Sequence, residues 1–318
     1  MELVTVTNDQ LTQAEQVVQA RVTSDSRFIE ANTKAVSLNH LRDDCVIPVF
    51  SKDNEPTISN ADFIESIFEA VQDVFHSENI LNPAVRVSHP IKGRIPEAKD
   101  KSAKDLLDTE KTVYYERVMF TIEIPTMYRI INGNHLSLTV GGVRGYHQEN
   151  LYANKHLQKF KIFIGFRNRV CCNMCVSTDG LLDDLKVGSA LELRNKATDL
   201  LLKYESAETL EQYQSWGNKL ITEKQFTHFL GFCRMLNHMP IAERRLYPEM
   251  LFTDHQINLL VDGYYNDKHF GRNTSGDITL WKLYNLLTSA NKQSYIDRFL
   301  ERGLNATNVV NNISSYLS

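Results

Sequence analysis

Residues 117–140 read RVMFTIEIPTMYRIINGNHLSLTV, and the fold class turns on how this stretch alternates. Within Thr112–Ile124 the even positions Val118, Phe120, Ile122 and Ile124 are apolar, with Arg117, Met119, Thr121 and Glu123 between them. Successive side chains of a strand point to opposite faces, so this period of two predicts a half-buried strand. Asn132-Gly133 then separates Tyr128–Ile131 from His135–Val140, where Leu136, Leu138 and Val140 alternate with His135, Ser137 and Thr139. Both Asn and Gly tolerate the positive φ that a two-residue hairpin turn requires. Gly141, Gly142 and Gly145 are expected to break the second strand. A further strand is expected over about Lys159–Val170, completing an antiparallel meander.

The flanks read as helix and loop. Ser59 and Asp62 have capping-box spacing, and Phe63, Ile64, Ile67, Phe68, Val71, Val74 and Phe75 recur at helical spacing. They predict an amphipathic helix over residues 60–76, packed on the sheet. Residues 1–35 read as a polar helical arm, loosely docked, and Cys45–Phe50 as a strand or extended segment. Residues 87–111, with Pro90, Gly93, Pro96 and many charges, read as a long surface loop with one helical turn. From about residue 186 the pattern is helical. Thr222 with Gln225, and Thr253 with Gln256, repeat the capping spacing. Asp277 precedes the stripe Leu280, Leu283, Tyr284, Leu287, and Gly303 is expected to end the helix of Tyr295–Arg302. The expected class is α+β: an antiparallel meander with a flanking helix, followed by a helical C-terminal half. The expected division is a polar arm (1–40), an α+β sheet domain (41–185) and a helical domain (186–318).

With 318 residues, 42% hydrophobic and 23% charged, the composition excludes collagen, a disordered chain and a disulfide-dense mini-protein. Five cysteines, an odd number with three crowded together, do not form a disulfide framework. The N-terminus lacks the basic and apolar regions of a secretory signal, and no uncharged apolar run is long enough to span a bilayer. A cytoplasmic protein without membrane contact is the expectation. The net charge of −4 hides an asymmetry. Residues 1–124 hold 13 Lys+Arg and 21 Asp+Glu; residues 125–178 hold 7 and 1; residues 179–318 hold 15 and 17. The segments are therefore −8, +6 and −2, and the excess positive charge lies in the centre of the chain.

That centre contains KFKIFIGFRNRV, residues 159–170. Its even positions Phe160, Ile162, Ile164, Phe166, Asn168 and Val170 form a core face. The odd positions Lys159, Lys161, Phe163, Gly165, Arg167 and Arg169 put four cations on the other face, with an aromatic ring and a glycine between them. Cations that track phosphates and a ring that stacks a base suit single-stranded nucleic acid. Cations on a strand's solvent face also serve simply to keep it soluble and unpaired. A bulge at Gly165 would split the set into Lys159/Lys161 and Arg167/Arg169. Arg144 and Lys155 could extend the path.

Other motifs carry less chemistry. Cys172 and Cys175 form a Cys-x-x-Cys without the second pair that tetrahedral zinc needs. His228, Cys233 and His238 are five residues apart on a predicted helix, so successive members are turned by about 140° and share no face. Gly141–Gly145 (GGVRG) lacks the Lys-Ser/Thr of a phosphate loop. His147, Glu149 and His156 are a conceivable two-histidine, one-carboxylate metal set. Asp262, Asp267, His269 and Asp277 form a vaguer cluster, and Trp281 and Tyr284 belong to a helical core.

Several segments also carry a family resemblance: Tyr114–Arg117, Ile131–Asn134, Val140–Arg144, Glu149–Tyr152, Lys159–Phe166, Cys172–Gly180, Leu280–Thr288 and Ala290–Lys292. From about residue 40 onward the chain resembles a bacterial domain-of-unknown-function family of mobile elements and prophages, distantly similar to the larger phage/plasmid-like family of unknown function. The resemblance implies no reaction, cofactor or catalytic residue. It implies a mobile-element setting, where nucleic-acid handling and interference with host defence are common tasks. The leading expectation is a non-catalytic accessory protein that binds single-stranded DNA or RNA. Lys159, Lys161, Arg167 and Arg169 would hold phosphates, Phe163 would stack, and Arg144 and Lys155 would extend the site. The alternative is a protein–protein module that sequesters a host factor, to which the −8 segment points. A metal-dependent enzyme built on His147, Glu149 and His156 ranks third. No metal and no cofactor is expected under the first two.

Overall fold

The computed structural model describes residues 28–45, 57–148, 157–236 and 238–317. It is an α+β fold. Six strands form an antiparallel sheet in the order β1-β2-β5-β6-β7-β8: β1 (Lys34–Val36), β2 (Ala84–Val87), β5 (Arg117–Ile131), β6 (Asn134–Gly145), β7 (Gln158–Asn168) and β8 (Met174–Val187). β5, β6 and β7 form the expected meander, although the strand expected over Thr112–Ile124 begins only at Arg117 in this sheet, and β8 adds a strand that the residue pattern did not predict. The turn between β5 and β6 is the two-residue Asn132-Gly133, at φ 47° and 78°, with Ile131 opposite Asn134. Helices α1 (Leu38–Asp43) and α2 (Asn60–Val74) precede the meander. The described C-terminal half is helical: α3 (Ala190–Lys203), α4 (Ala207–Trp216), α5 (Glu223–Leu236), α6 (Ile241–Arg244), α7 (Asp254–Asn266), α8 (Leu280–Asn291), α9 (Ile296–Asn311) and α10 (Ile313–Leu317).

Local chemistry starts these elements where the residue pattern places them. Ser59 Oγ accepts from Asp62 N while Asp62 Oδ2 accepts from Ser59 N, closing the capping box of α2. Thr222 with Gln225 and Thr253 with Gln256 do the same for α5 and α7. On the sheet, Val118, Phe120, Ile122 and Ile124 of β5 and Phe160, Ile162, Ile164 and Phe166 of β7 are buried with Phe63, Ile64 and Ile67 of α2. This cluster continues without interruption into the helices, through Tyr213, Trp216, Trp281 and Tyr284. A second, smaller core lies on the opposite face of the sheet. There Met119, Val143, Phe163, Met174 and Val176 meet Ile296, Phe299 and Leu300 of α9 and Phe28 and Ile29 from before β1.

Four local expectations are corrected. First, β6 runs through Gly141 and Gly142 to Gly145 and is not broken there. A Cβ on Gly141 would lie 2.2 Å from Phe120 O and 2.6 Å from Phe163 Cζ; one on Gly142 would lie 2.4 Å from Phe63 Cζ. These glycines let the strand sit against aromatic rings rather than turn. Second, α9 passes through Gly303, which is buried where α9 packs near Asn291 of α8. Packing offsets the roughly 1 kcal/mol that glycine costs in a helix. Third, residues 87–111 are not one loop: β3 (Pro90–Arg94) pairs antiparallel with β4 (Lys111–Tyr115). Fourth, residues 28–36, assigned to a loose arm, include the fully buried Phe28 and Ile29 and the strand β1. Residues 1–27 and 46–50 of the expected arm and extended segment lie outside the described residues.

Candidate ligand-binding face of the sheet

Strand β7 sets the face on which the sequence places its cations. Opposite β6 it pairs in unbroken register, from Leu136–Asn168 to Val143–Lys161. The irregularities lie on β8: between Phe163–Leu181 and Gly165–Val176, β7 advances two residues and β8 five. The extra residues belong to β8, so the alternation along β7 survives Gly165. The odd residues share one face, as expected.

That face is divided, though by a helix rather than by a bulge. Phe163, at its middle, is fully buried beneath Ile296, Phe299 and Leu300 of α9. Its ring has no free surface for a base to stack on in this structure. Beyond each end of this apolar centre lies a pair of cations, and carboxylates face both. Lys159 Nζ is 3.8 Å from Asp184 Oδ1, and Lys161 Nζ is 2.6 Å from Asp183 Oδ1. At the other end Glu123 of β5 takes two arginines: Arg167 Nη1 lies 3.1 Å from Oε2, and Arg169 Nε 3.7 Å from Oε1. Ser137 Oγ donates to the same carboxylate at 2.6 Å. The side chains of Glu123 and Arg167 are each only 11% exposed. Burial opposes the charge of Arg167, but Glu123 and Cys172 outweigh it and hold the guanidinium pKa above its ordinary value. His135 stacks on Tyr128 at 4.0 Å beside this group. Burial first, and Arg169 second, push its pKa below the usual histidine value, against the pull of Glu123.

Arg144 lies on the opposite face. It follows Leu136, Leu138 and Val140 in parity, and it is buried with them. It donates to Ile58 O and, at 2.7 Å, to Gln158 Oε1. Its guanidinium carbon sits 4.3 Å from the Tyr146 ring centre and 4.6 Å from that of Phe160. It pins the segment before α2 to the sheet and does not extend the odd face. Lys155 lies outside the described residues. A cavity of about 180 Å³ adjoins the lysine end, lined by Val143, Arg144, Gln148, Lys159, Phe160, Lys161, Asp183 and Asp184. Its mixed charge suits no single ion class.

The remaining motifs resolve into structure. Asn168 Nδ2 donates to Asn285 Oδ1 at 3.0 Å, Asn173 Nδ2 to Asn285 O at 2.8 Å, and Asn285 Nδ2 to Trp281 O at 2.9 Å. Lys292 Nζ donates to Cys171 O. These buried amides seat α8 on the turn between β7 and β8, joining the Cys172–Gly180 and Leu280–Lys292 segments. An asparagine that falls on an apolar face, as Asn168 does with Phe166 along its strand and Asn285 does among Leu283, Tyr284, Leu286 and Leu287 of α8, is the sequence signal of such a buried amide. The five cysteines are free thiols. Burial pushes Cys171 up to about 12 and raises Cys175 and Cys233 further, so these three are poor nucleophiles. His147 Nε2 lies 3.8 Å from Asp297 Oδ2, at the start of α9, while Glu149 and His156 lie outside the described residues. Among the described residues no group of three or more His, Cys, Asp or Glu is arranged to hold a metal ion.

The fold and this face define an α+β protein with a two-sided sheet, in which Lys159, Lys161, Arg167 and Arg169 are engaged by carboxylates of the same chain. The chain belongs to a family of unknown function, DUF3871, described as "Domain of unknown function, B. Theta Gene description", whose model matches residues 11–317. The match reaches further toward the N-terminus than the resemblance from about residue 40. No curated protein and no solved structure matches the chain. No helix among the described residues is long and apolar enough to cross a membrane.

Proposed function

We infer that this chain is a non-catalytic binding protein whose partner is another protein, acting as a cytoplasmic accessory factor in a mobile-element setting. One observation carries this reading: each described cation of the odd face is engaged by a carboxylate of the chain itself. The concentration of positive charge that suggests nucleic acid is thereby largely neutralised on the spot. Sequestering a host factor is the corresponding task.

A second reading, nucleic-acid binding, retains support at the lysine end alone. Asp183 and Asp184 are about three-fifths exposed. Such surface pairs contribute at most about 1 kcal/mol, so a polyanion could displace them. Fluorescence anisotropy with short single-stranded DNA and RNA, from low to high salt, separates the readings. The first expects no binding that is lost on Lys159→Glu plus Lys161→Glu. It also expects a partner to survive nuclease treatment in a pull-down. Salt-sensitive binding abolished by that double change, with nothing retained after nuclease, would replace it with the second.

A further inference from the structure

We propose that the surface around α6, formed by Met235 and residues 240–246, is the docking site for an acidic, aliphatic segment of another protein. The proposal rests on the protein-binding reading and adds the place and the chemistry of the partner.

Pro240 to Leu246 are seven successive exposed residues in the helical half. They are held in shape. Met239 and Tyr247, on either side, pack against the core, and the Tyr247 ring meets Phe232 edge-on at 4.8 Å. Glu243 N and Arg244 N both donate to Pro240 O at 3.0 Å, and Leu246 N to Glu243 O at 3.0 Å. The segment is thus a fixed knuckle that turns its apolar side chains outward. Leu246 is 80% exposed, Ile241 69% and Met235 61%. Arg244 and Arg245 are exposed and make no ion pair among the described residues, in contrast to the strand cations. Residues 234–248 hold three arginines and one acid, Glu243.

This combination selects the partner. Covering the three apolar side chains favours association, because it removes their surface from water. A phosphodiester backbone has no apolar surface to offer them. Stacking on bases needs an open ring; Tyr247 is half-buried on Phe232, which leaves the small imidazole of His238 as the single exposed ring beside the patch among the described residues. The partner is therefore a protein. Unpaired arginines beside an apolar centre call for carboxylates at the rim. A symmetric pairing of two copies through this patch would bring four arginines, Arg244 and Arg245 twice, against two Glu243 carboxylates, because a two-fold interface presents the same patch twice; an acidic partner balances the charge better. An acidic segment with aliphatic side chains meets both requirements.

The test places the photo-cross-linker p-benzoylphenylalanine at Leu246 in the full chain, with Leu202 of α3, itself exposed, as the control position. The protein is irradiated in the cells that carry it, and adducts are treated with nuclease and mapped by mass spectrometry. The expected result is a protein adduct from position 246 and not from 202. Its cross-linked peptide should be net negative and aliphatic. Arg244→Glu plus Arg245→Glu should lower its yield about tenfold or more, and Ile241→Lys should lower it independently, with melting curves unchanged for both variants. Equal adducts from both positions, a basic peptide, nucleic acid, a second copy of this chain, or a yield unmoved by both variants would each overturn the proposal. So would an absent adduct at 246 while a pull-down still retains a partner after nuclease; in that case the protein-binding reading stands and only the surface is wrong. If no partner survives nuclease at all, both fall.

Discussion

The two ends of β7 carry the same formal charge and differ in everything that decides its worth. At one end Arg167 and Arg169 share the single, largely buried carboxylate of Glu123. At the other, Lys159 and Lys161 each have an aspartate that stands mostly in water. Breaking a buried pair by removing one partner costs about 3–5 kcal/mol, because a desolvated charge is left behind. An exposed pair is worth about 0–1 kcal/mol and fades with salt. The arginine end is therefore a structural bolt between β5 and β7, and the lysine end is a surface with replaceable counter-ions. Between them lies Phe163, which belongs to neither: its ring is the centre of the core that α9 closes.

The strongest challenge to this contrast is to remove its centre. Phe163→Ala should lower the unfolding free energy by about 4 kcal/mol, read from urea denaturation, as for other buried aromatic truncations. A loss below about 1 kcal/mol would mean that the ring is available for a ligand after all. Next in size is Glu123→Gln, which keeps an oxygen for Ser137 but removes the charge. About 3 kcal/mol of stability should be lost, and Arg167→Met on that background should restore part of it. If Glu123→Gln costs no more than a surface change, the arginine end is not bolted, and its two guanidinium groups are open to an anion.

How much of this was legible depended on sequence distance. The hairpin turned on two adjacent residues, and the capping boxes on residues three apart, so local chemistry decided them. The α+β class followed from the same patterns. The burial of Arg144 was legible too: its parity with Leu136, Leu138 and Val140 put it on the core face of β6. The attraction of a basic residue beside a basic strand obscured that signal. What could not be read was the content of the odd face. Its cover, Ile296, Phe299 and Leu300, lies more than 130 residues beyond Phe163. Alternation also cannot distinguish a strand face that meets water from one that meets a helix. Glu123 is 44 residues from Arg167, and Asn285 is 117 from Asn168. No local pattern announces partners that the topology alone brings together. The glycines of β6 failed for a related reason: absence of a side chain reads as a break, whereas here it makes room for Phe163 and Phe63.

Smaller effects sharpen the same contrast. Lys161→Gln should change stability by less than about 1 kcal/mol, and the difference should vanish in high salt. A salt-insensitive loss of several kcal/mol would make the lysine end a second bolt and remove its availability to a polyanion.

The subtlest distinction is the pH response of the arginine end. The folded protein holds the pKa of His135 below its ordinary 6.5. As the pH falls below that value, the unfolded chain therefore binds a proton that the folded chain still refuses. Stability contributed by the neutral imidazole is present above pH 6.5 and is lost as pH falls through the folded value. A melting series from pH 7.5 to pH 5 should show this loss in the parent and a shallower one in His135→Gln. Because Glu123 is the group that favours the imidazolium, Glu123→Gln should move the plateau of the His135 contribution to still lower pH, separable from its own cost by the double variant. Identical pH slopes in the parent and in His135→Gln would mean that burial does not disfavour the imidazolium. The stacked pair of His135 and Tyr128 would then have to be more open to water than the arginine end allows.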